Sequence, residues 1–145
     1  MRIHFAFGYL GFVTELIQRV ADAVRRRSSQ RNAGRAAAEL AHRFLQHHGC
    51  TVVDQNFQAR STPVGIDLVA CQGGMVVFVE VKAQTEGKGK SPDREVDAEK
   101  RRALVRAGRE YACRRGVEWS KTRFDVVSVM VGSPARVEWL RDAFR

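Results

Sequence analysis

Apolar positions recur along this chain in two periods. Leu10, Val13, Ile17, Val20 and Val24 return at helical spacing, and so do Ala37, Leu40, Ala41, Phe44 and Leu45, so two amphipathic helices are predicted. The first runs into Arg25-Arg26-Arg27 and then Ser28-Ser29-Gln30-Arg31-Asn32, which reads as a polar linker. Gly49 stands as the stop of the second. Thr51 to Ala59 is β-branched and strand-like, and breaks at Arg60-Ser61-Thr62-Pro63. Glu95 to Arg115 returns to the helical period, with Val96, Lys100, Leu104, Ala107 and Tyr111 on one stripe. Arg123 to Val131 reads as a buried strand, and Arg136 to Leu140 as a shorter last one. The order helix, strand, hairpin, helix, strand, strand predicts an α/β fold, a mixed β-sheet flanked by helices. An N-terminal amphipathic helical extension, residues 1–33, precedes a domain at 34–145.

The chemistry concentrates in IDLVACQGGMVVFVEVK, Ile66 to Lys82. Gly73-Gly74 between β-branched runs is a two-residue hairpin signal. That turn sets the register: Gln72 faces Met75, Cys71 faces Val76, and five steps from the Gln72–Met75 pair Asp67 faces Glu80. Directly opposed side chains lie about 5 Å apart at Cβ, and like charges there repel. A cation would turn that repulsion into a binding site. Lys82, two residues past Glu80, shares its face, whereas Leu68, Val79 and Val81 point the other way, toward core.

Composition narrows the partners. The chain has 145 residues, 44% hydrophobic and 28% charged, which is ordinary for a single globular domain, but its net charge of +9 and pI near 10.3 are not. They point to a polyanion, most simply nucleic acid, with an anionic membrane surface as the other reading and solvated charge as the plain one. Three cysteines, Cys50, Cys71 and Cys113, have neither disulfide nor zinc spacing, so a reducing, cytoplasmic compartment is expected. The apolar run Phe5 to Val13 is too short to span a bilayer, and no small-residue cleavage site supports a signal peptide. That helix is expected to pack on the domain or a partner, with membrane-surface contact second.

Other residues carry weaker signals. The loop Thr85 to Asp93 exposes Lys88 and Lys90, read either as phosphate contacts or as solvated lysines. Lys100 interrupts an apolar stripe, so it either snorkels along the sheet edge or is drawn to an acid or a phosphate. Arg101, Arg102, Arg106 and Arg109 offer a basic surface on other faces of that helix. Glu39 lies nearly opposite its helix's apolar stripe and reads as a solvated acid rather than a metal ligand. His42, His47 and His48 lack ligand spacing and read as structural. No Gly-rich phosphate loop, internal repeat or nucleophile elbow occurs.

The segments GRAAAELAHRFL, Asn56-Phe57, IDLVA, VVFVEVKAQ, a helix containing Lys100, RFDVVSV and WLRDAF resemble, in that order, the YraN family of predicted endonucleases. The resemblance covers nearly all of residues 34–145. It implies a restriction-endonuclease-like fold, related to Holliday-junction-resolvase-like nucleases, with an acid, a gap, then acid-any-Lys. The motif falls on Asp67 and Glu80-Val81-Lys82. Three positions depart from the family pattern. Val64-Gly65 stand where Gly-Glu is usual, Ala37-Ala38 where the first helix carries Gly-Glu, leaving Glu39 displaced by one, and Gln84 where an Arg is usual.

The resemblance implies Mg²⁺ or Mn²⁺ held by Asp67, Glu80 and the Val81 carbonyl, with Lys82 stabilising charge at phosphorus or orienting water. The expected function is metal-dependent endonuclease action on nucleic acid, DNA first, branched or single-stranded forms included, with a homodimer allowed. Two other classes remain open: a nucleic-acid-binding module of the same fold without catalysis, and a protein scaffold docking through its first helix.

Overall fold

A computed structural model describes residues 7–84 and 96–145, with side chains from residue 17 onward. The elements are α1 (Phe7–His47), β1 (Thr51–Phe57), β2 (Ile66–Gln72), β3 (Met75–Gln84), α2 (Ala98–Arg115), a 3₁₀ turn (Trp119–Lys121), β4 (Thr122–Met130) and β5 (Arg136–Phe144). The chain divides into two compact units, Met1–Ala33 and Gly34–Arg145.

In the first unit, Ser28 to Asn32, read as a polar linker, is helical. Its residues are mediocre helix formers, but none is Gly or Pro, so nothing there breaks a helix already nucleated. Ile17, Val20 and Val24 are well exposed. Among the described residues no helix is long and apolar enough to cross a membrane.

In the second unit the five strands lie in sequence order in one sheet. β3 and β4 run parallel and the other neighbours antiparallel, so α2 is the crossover of a β-α-β unit. This is the helix-flanked mixed sheet that the periodicities predict. Both faces are covered, which is why β2, β3 and β4 are apolar almost throughout. On one face, Ala37, Ala41 and Leu45 of α1 pack with Leu68, Ala70, Val77, Val79, Val127 and Val129. On the other, Leu104, Ala107 and Tyr111 of α2 pack with Ile66, Val69, Phe78, Phe124 and Val126.

Gly73 and Gly74 both take positive φ, +56° and +77°, and make the tight turn between β2 and β3. The register follows as the turn demands, with Gln72 opposite Met75, Cys71 opposite Val76 and Leu68 opposite Val79. The helix expected from Glu95 begins at Ala98, because Asp97 takes an extended backbone and its carboxylate accepts the Lys100 N–H at 2.8 Å. β5 is longer than expected, running to Phe144 through a register shift opposite Phe124 and Val126. Asp142 adopts φ +49° there, and its N–H reaches Asp125 Oδ1 at 2.9 Å.

A candidate acid-lysine site on the sheet

Asp67 and Glu80 come together one step past the last ladder pair, Leu68 with Val79. The Val81 N–H donates to Asp67 Oδ2 at 2.7 Å and fixes that carboxylate across the two strands. Glu80 is buried, at 6% exposure. The pleat puts it on the α2 face with Phe78, and Lys82 with it. Lys82 Nζ lies 3.5 Å from Glu80 Oε1. Lys100, in the first turn of α2, makes a short hydrogen bond from Nζ to the same oxygen. Two acids and two ammonium groups thus meet from three elements.

The electrostatics reflect that crowding. Burial and the neighbouring Glu80 charge push the Asp67 carboxyl up to about 6, against the help of the Val81 N–H. Burial, with Lys100 close by, lowers Lys82 below the ordinary lysine value. Burial also opposes charge on Lys100, but hydrogen bonds, chiefly to Glu80, outweigh it and hold that ammonium above its ordinary value. The raised Asp67 carboxyl and the ammonium bonded to Glu80 both offset the negative charge gathered here.

The hard oxygen donors of Asp67 and Glu80 suit Mg²⁺ or Mn²⁺, which bind through one or two carboxylates and keep several waters. The repulsion that raises Asp67 is what such an ion would relieve. Among the described residues no group of three or more His, Cys, Asp or Glu converges. The backbone group of Val81 seen to engage the acids is its N–H.

The remaining candidates are placed as follows. Glu39 is exposed and pairs with Arg43 one turn on, in the helix packed against the opposite sheet face. Gln84 ends β3, level with Met130. Arg101 Nε donates to the Val96 carbonyl at 2.8 Å, with its guanidinium 5.9 Å from the Phe144 ring. Lys88 and Lys90 lie outside the described residues.

A second polar cluster was not foreseen. Asp125, in the middle of a strand read as simply buried, has no exposed surface. It accepts from Arg123 Nε at 3.1 Å, Trp139 Nε1 at 2.8 Å and the Asp142 N–H. Arg123 and Arg141 both donate to Gln72 Oε1, at 2.7 and 2.8 Å, and Gln72 Nε2 donates to the His48 carbonyl at 2.9 Å. This network joins the turn after α1, the hairpin, β4 and β5. The available signal was Asp125 itself, an acid inside an apolar run, which burial requires to be paired. Ser128, also buried, is level with Lys82 on the neighbouring strand, and its Oγ has no hydrogen-bond partner among the described residues.

Fold and site together define an α/β protein with a carboxylate pair and two lysines gathered on one face of a mixed sheet. The chain belongs to the family described as "Uncharacterised protein family UPF0102", the YraN family, whose model matches residues 37–129. It is 45% identical over 129 residues to a UPF0102 protein of Solibacter usitatus, covering 89% of this chain and 98% of that one. A UPF0102 protein of Koribacter versatilis is 34% identical over 135 residues, 90% and 94% of the two chains. One from Rhodococcus jostii is 37% identical over 113 residues, 77% and 94%.

Proposed function

We propose that this protein is a metal-dependent endonuclease that hydrolyses phosphodiester bonds in DNA, acting in the cytoplasm. One observation carries the reading: Asp67, Glu80 and Lys82 converge on one sheet face, with Asp67 clamped by the Val81 N–H. Asp67 and Glu80 would hold a divalent ion, with the Val81 carbonyl as a further donor. A bound Mg²⁺ or Mn²⁺ supplies Lewis-acid polarisation of the phosphodiester and acidifies a water. Lys82, 3.5 Å from Glu80 on the same face, would stabilise charge on the phosphoryl oxygens or orient the attacking water. Lys100 and Arg101 stand at the head of α2, and together with Lys88, Lys90 and the +9 net charge they would draw the DNA backbone toward the acids. Branched and single-stranded DNA belong in the substrate set tested, since attraction of phosphates by basic residues does not select duplex.

The test is a Mg²⁺ and Mn²⁺ titration with duplex, single-stranded and four-way-junction DNA. Cleavage that Asp67→Ala abolishes supports the reading. Purified wild-type protein that cuts none of these substrates sinks it.

A second reading is a DNA-binding module of the same fold without catalysis. It is favoured by the pairing of Glu80 with two ammonium groups and by the convergence, among the described residues, of only two carboxylates. Under it, binding is salt-dependent, needs no divalent ion and leaves every substrate intact.

A further inference from the structure

We infer that Lys100 is a built-in competitor of the divalent ion at Glu80, a resident cation that must leave before the ion can enter. The inference rests on the reading of Asp67 and Glu80 as metal-binding acids, and it concerns how that site is regulated.

Lys100 reaches the site from another element. It occupies the third residue of α2, where the positive end of the helix dipole disfavours a cation, so its place there needs a partner. Its neighbours on the apolar stripe, Val96 and Leu104, are buried at 3% and 2% exposure. The stem therefore lies between helix and sheet, and Nζ is bonded to Glu80 Oε1. Lys82 differs. It projects from the same strand as Glu80 and stands 3.5 Å from that oxygen, an ion pair without a close hydrogen bond. Of the two ammonium groups, Lys100 therefore engages the Glu80 carboxylate more closely, at Oε1. Glu80 has a second oxygen, but a divalent ion and an ammonium sharing one carboxylate lie a few ångströms apart, and like charges that close in a half-buried site repel strongly. Entry of the ion is thus an exchange: Glu80 passes from Lys100 to the metal. The released ammonium, still at the head of α2 beside the acids, becomes available to a phosphate.

The experiment is Mn²⁺ binding without DNA, followed by the electron paramagnetic resonance signal of free Mn²⁺, for wild type, Lys100→Met, Lys100→Gln, Lys82→Met and Glu80→Gln. Methionine keeps the stem in an apolar stripe, so folding should survive; circular dichroism checks it, and glutamine is the second variant. Lys100→Met and Lys100→Gln should bind Mn²⁺ at least roughly 10-fold tighter than wild type, Lys82→Met less than about 3-fold tighter, and Glu80→Gln should lose binding. Unchanged or weaker binding by both Lys100 variants overturns the exchange while leaving the metal site standing. An equal gain in Lys82→Met also overturns it, because general charge removal would then explain the effect. Absence of Mn²⁺ binding in every protein overturns the exchange and the metal reading together. Tighter binding by the Lys100 variants, with no DNA cleaved by wild type, upholds the exchange and sinks the nuclease.

Discussion

Asp67 sits where its protonated form is favoured, and that fixes how stability depends on pH. Its carboxyl moves from 3.8 in the unfolded chain to about 6 in the fold, through burial first and Glu80 second. Below the lower value it is protonated in both states and contributes nothing. As pH rises through this window, ionisation is easier in the unfolded chain, so stability is lost, and above the window the loss is complete. At 1.36 kcal/mol per unit the full penalty is about 3 kcal/mol. Asp67→Asn, whose amide oxygen can still accept the Val81 N–H, should therefore be more stable than wild type by about 2–3 kcal/mol at pH 7 to 8 in urea unfolding without divalent ions. The gain should vanish near pH 4, and a gain independent of pH would refute the account. Asp125 should behave in the opposite way. Fully buried and bonded to Arg123, Trp139 and the Asp142 N–H, it should cost about 3–5 kcal/mol when changed to Ala, because those donors lose their acceptor. The first site was legible in the sequence and the second was not, for a physical reason. A Gly-Gly turn counts out its own register, so Asp67, Glu80 and Lys82 follow from local spacing. Arg123 is local, two residues back on the same strand, but the other partners of Asp125, Trp139 and Asp142, come from another strand and no local period announces them.

At the scale of elements, α2 depends on one missing side chain. A Cβ built on Gly108 would meet the Phe124 ring at 2.6 Å and the Phe78 ring at 3.0 Å, both in a packed core. Gly→Ala within an open helix gains up to about 1 kcal/mol, but overpacking of a filled core loses about 1–3, so Gly108→Ala should lower stability by about 1–2 kcal/mol. A thermal melt showing a stabilised Gly108→Ala would mean the helix can lift from the sheet at little cost. The same helix also anchors the β1–β2 connection. Glu110 accepts from the Ser61 hydroxyl and from the Arg60 and Ser61 N–H groups, and these bonds draw its carboxyl from 4.5 down to about 2. A depressed acid stabilises the fold above its unfolded value and loses that contribution as pH falls through the window. Glu110→Gln should thus be less stable than wild type at pH 7, with the two curves converging between pH 4.5 and about 2. The apolar stripe that seats α2 was readable from sequence, with Lys100 as its one polar member. The ends of elements were not. Helix α1 runs straight through Ser28 to Asn32 because polar residues without Gly or Pro do not stop a helix, and β5 passes Asp142 because Asp125 needs its N–H.

For the molecule as a whole, net charge is the property sequence shows best and assigns worst. A sum of +9 says that a polyanion is attracted, but a sum has no address, and only placement on the fold shows which cations stand near the acids. Lys82 and Lys100 are both held by Glu80, so before any exchange they are poor phosphate ligands. With DNA as the partner, the cations that would meet it in the metal-free protein lie outside the site and include Lys88 and Lys90 in the connection to α2 and the arginines along that helix. Each phosphate contact contributes a slope of about −0.9 to log K against log salt on duplex DNA. Fluorescence anisotropy in EDTA, between roughly 50 and 200 mM salt, should give wild type a slope of about −3 to −5 if four or five such residues engage. Replacing Lys88 and Lys90 together by Gln should reduce its magnitude by about 2, whereas Lys100→Met should leave it unchanged in EDTA, since that ammonium is already committed to Glu80. A flat salt dependence would remove DNA as the polyanion, and a slope that falls with Lys100→Met in EDTA would show that its ammonium reaches phosphate without leaving the acid to a metal.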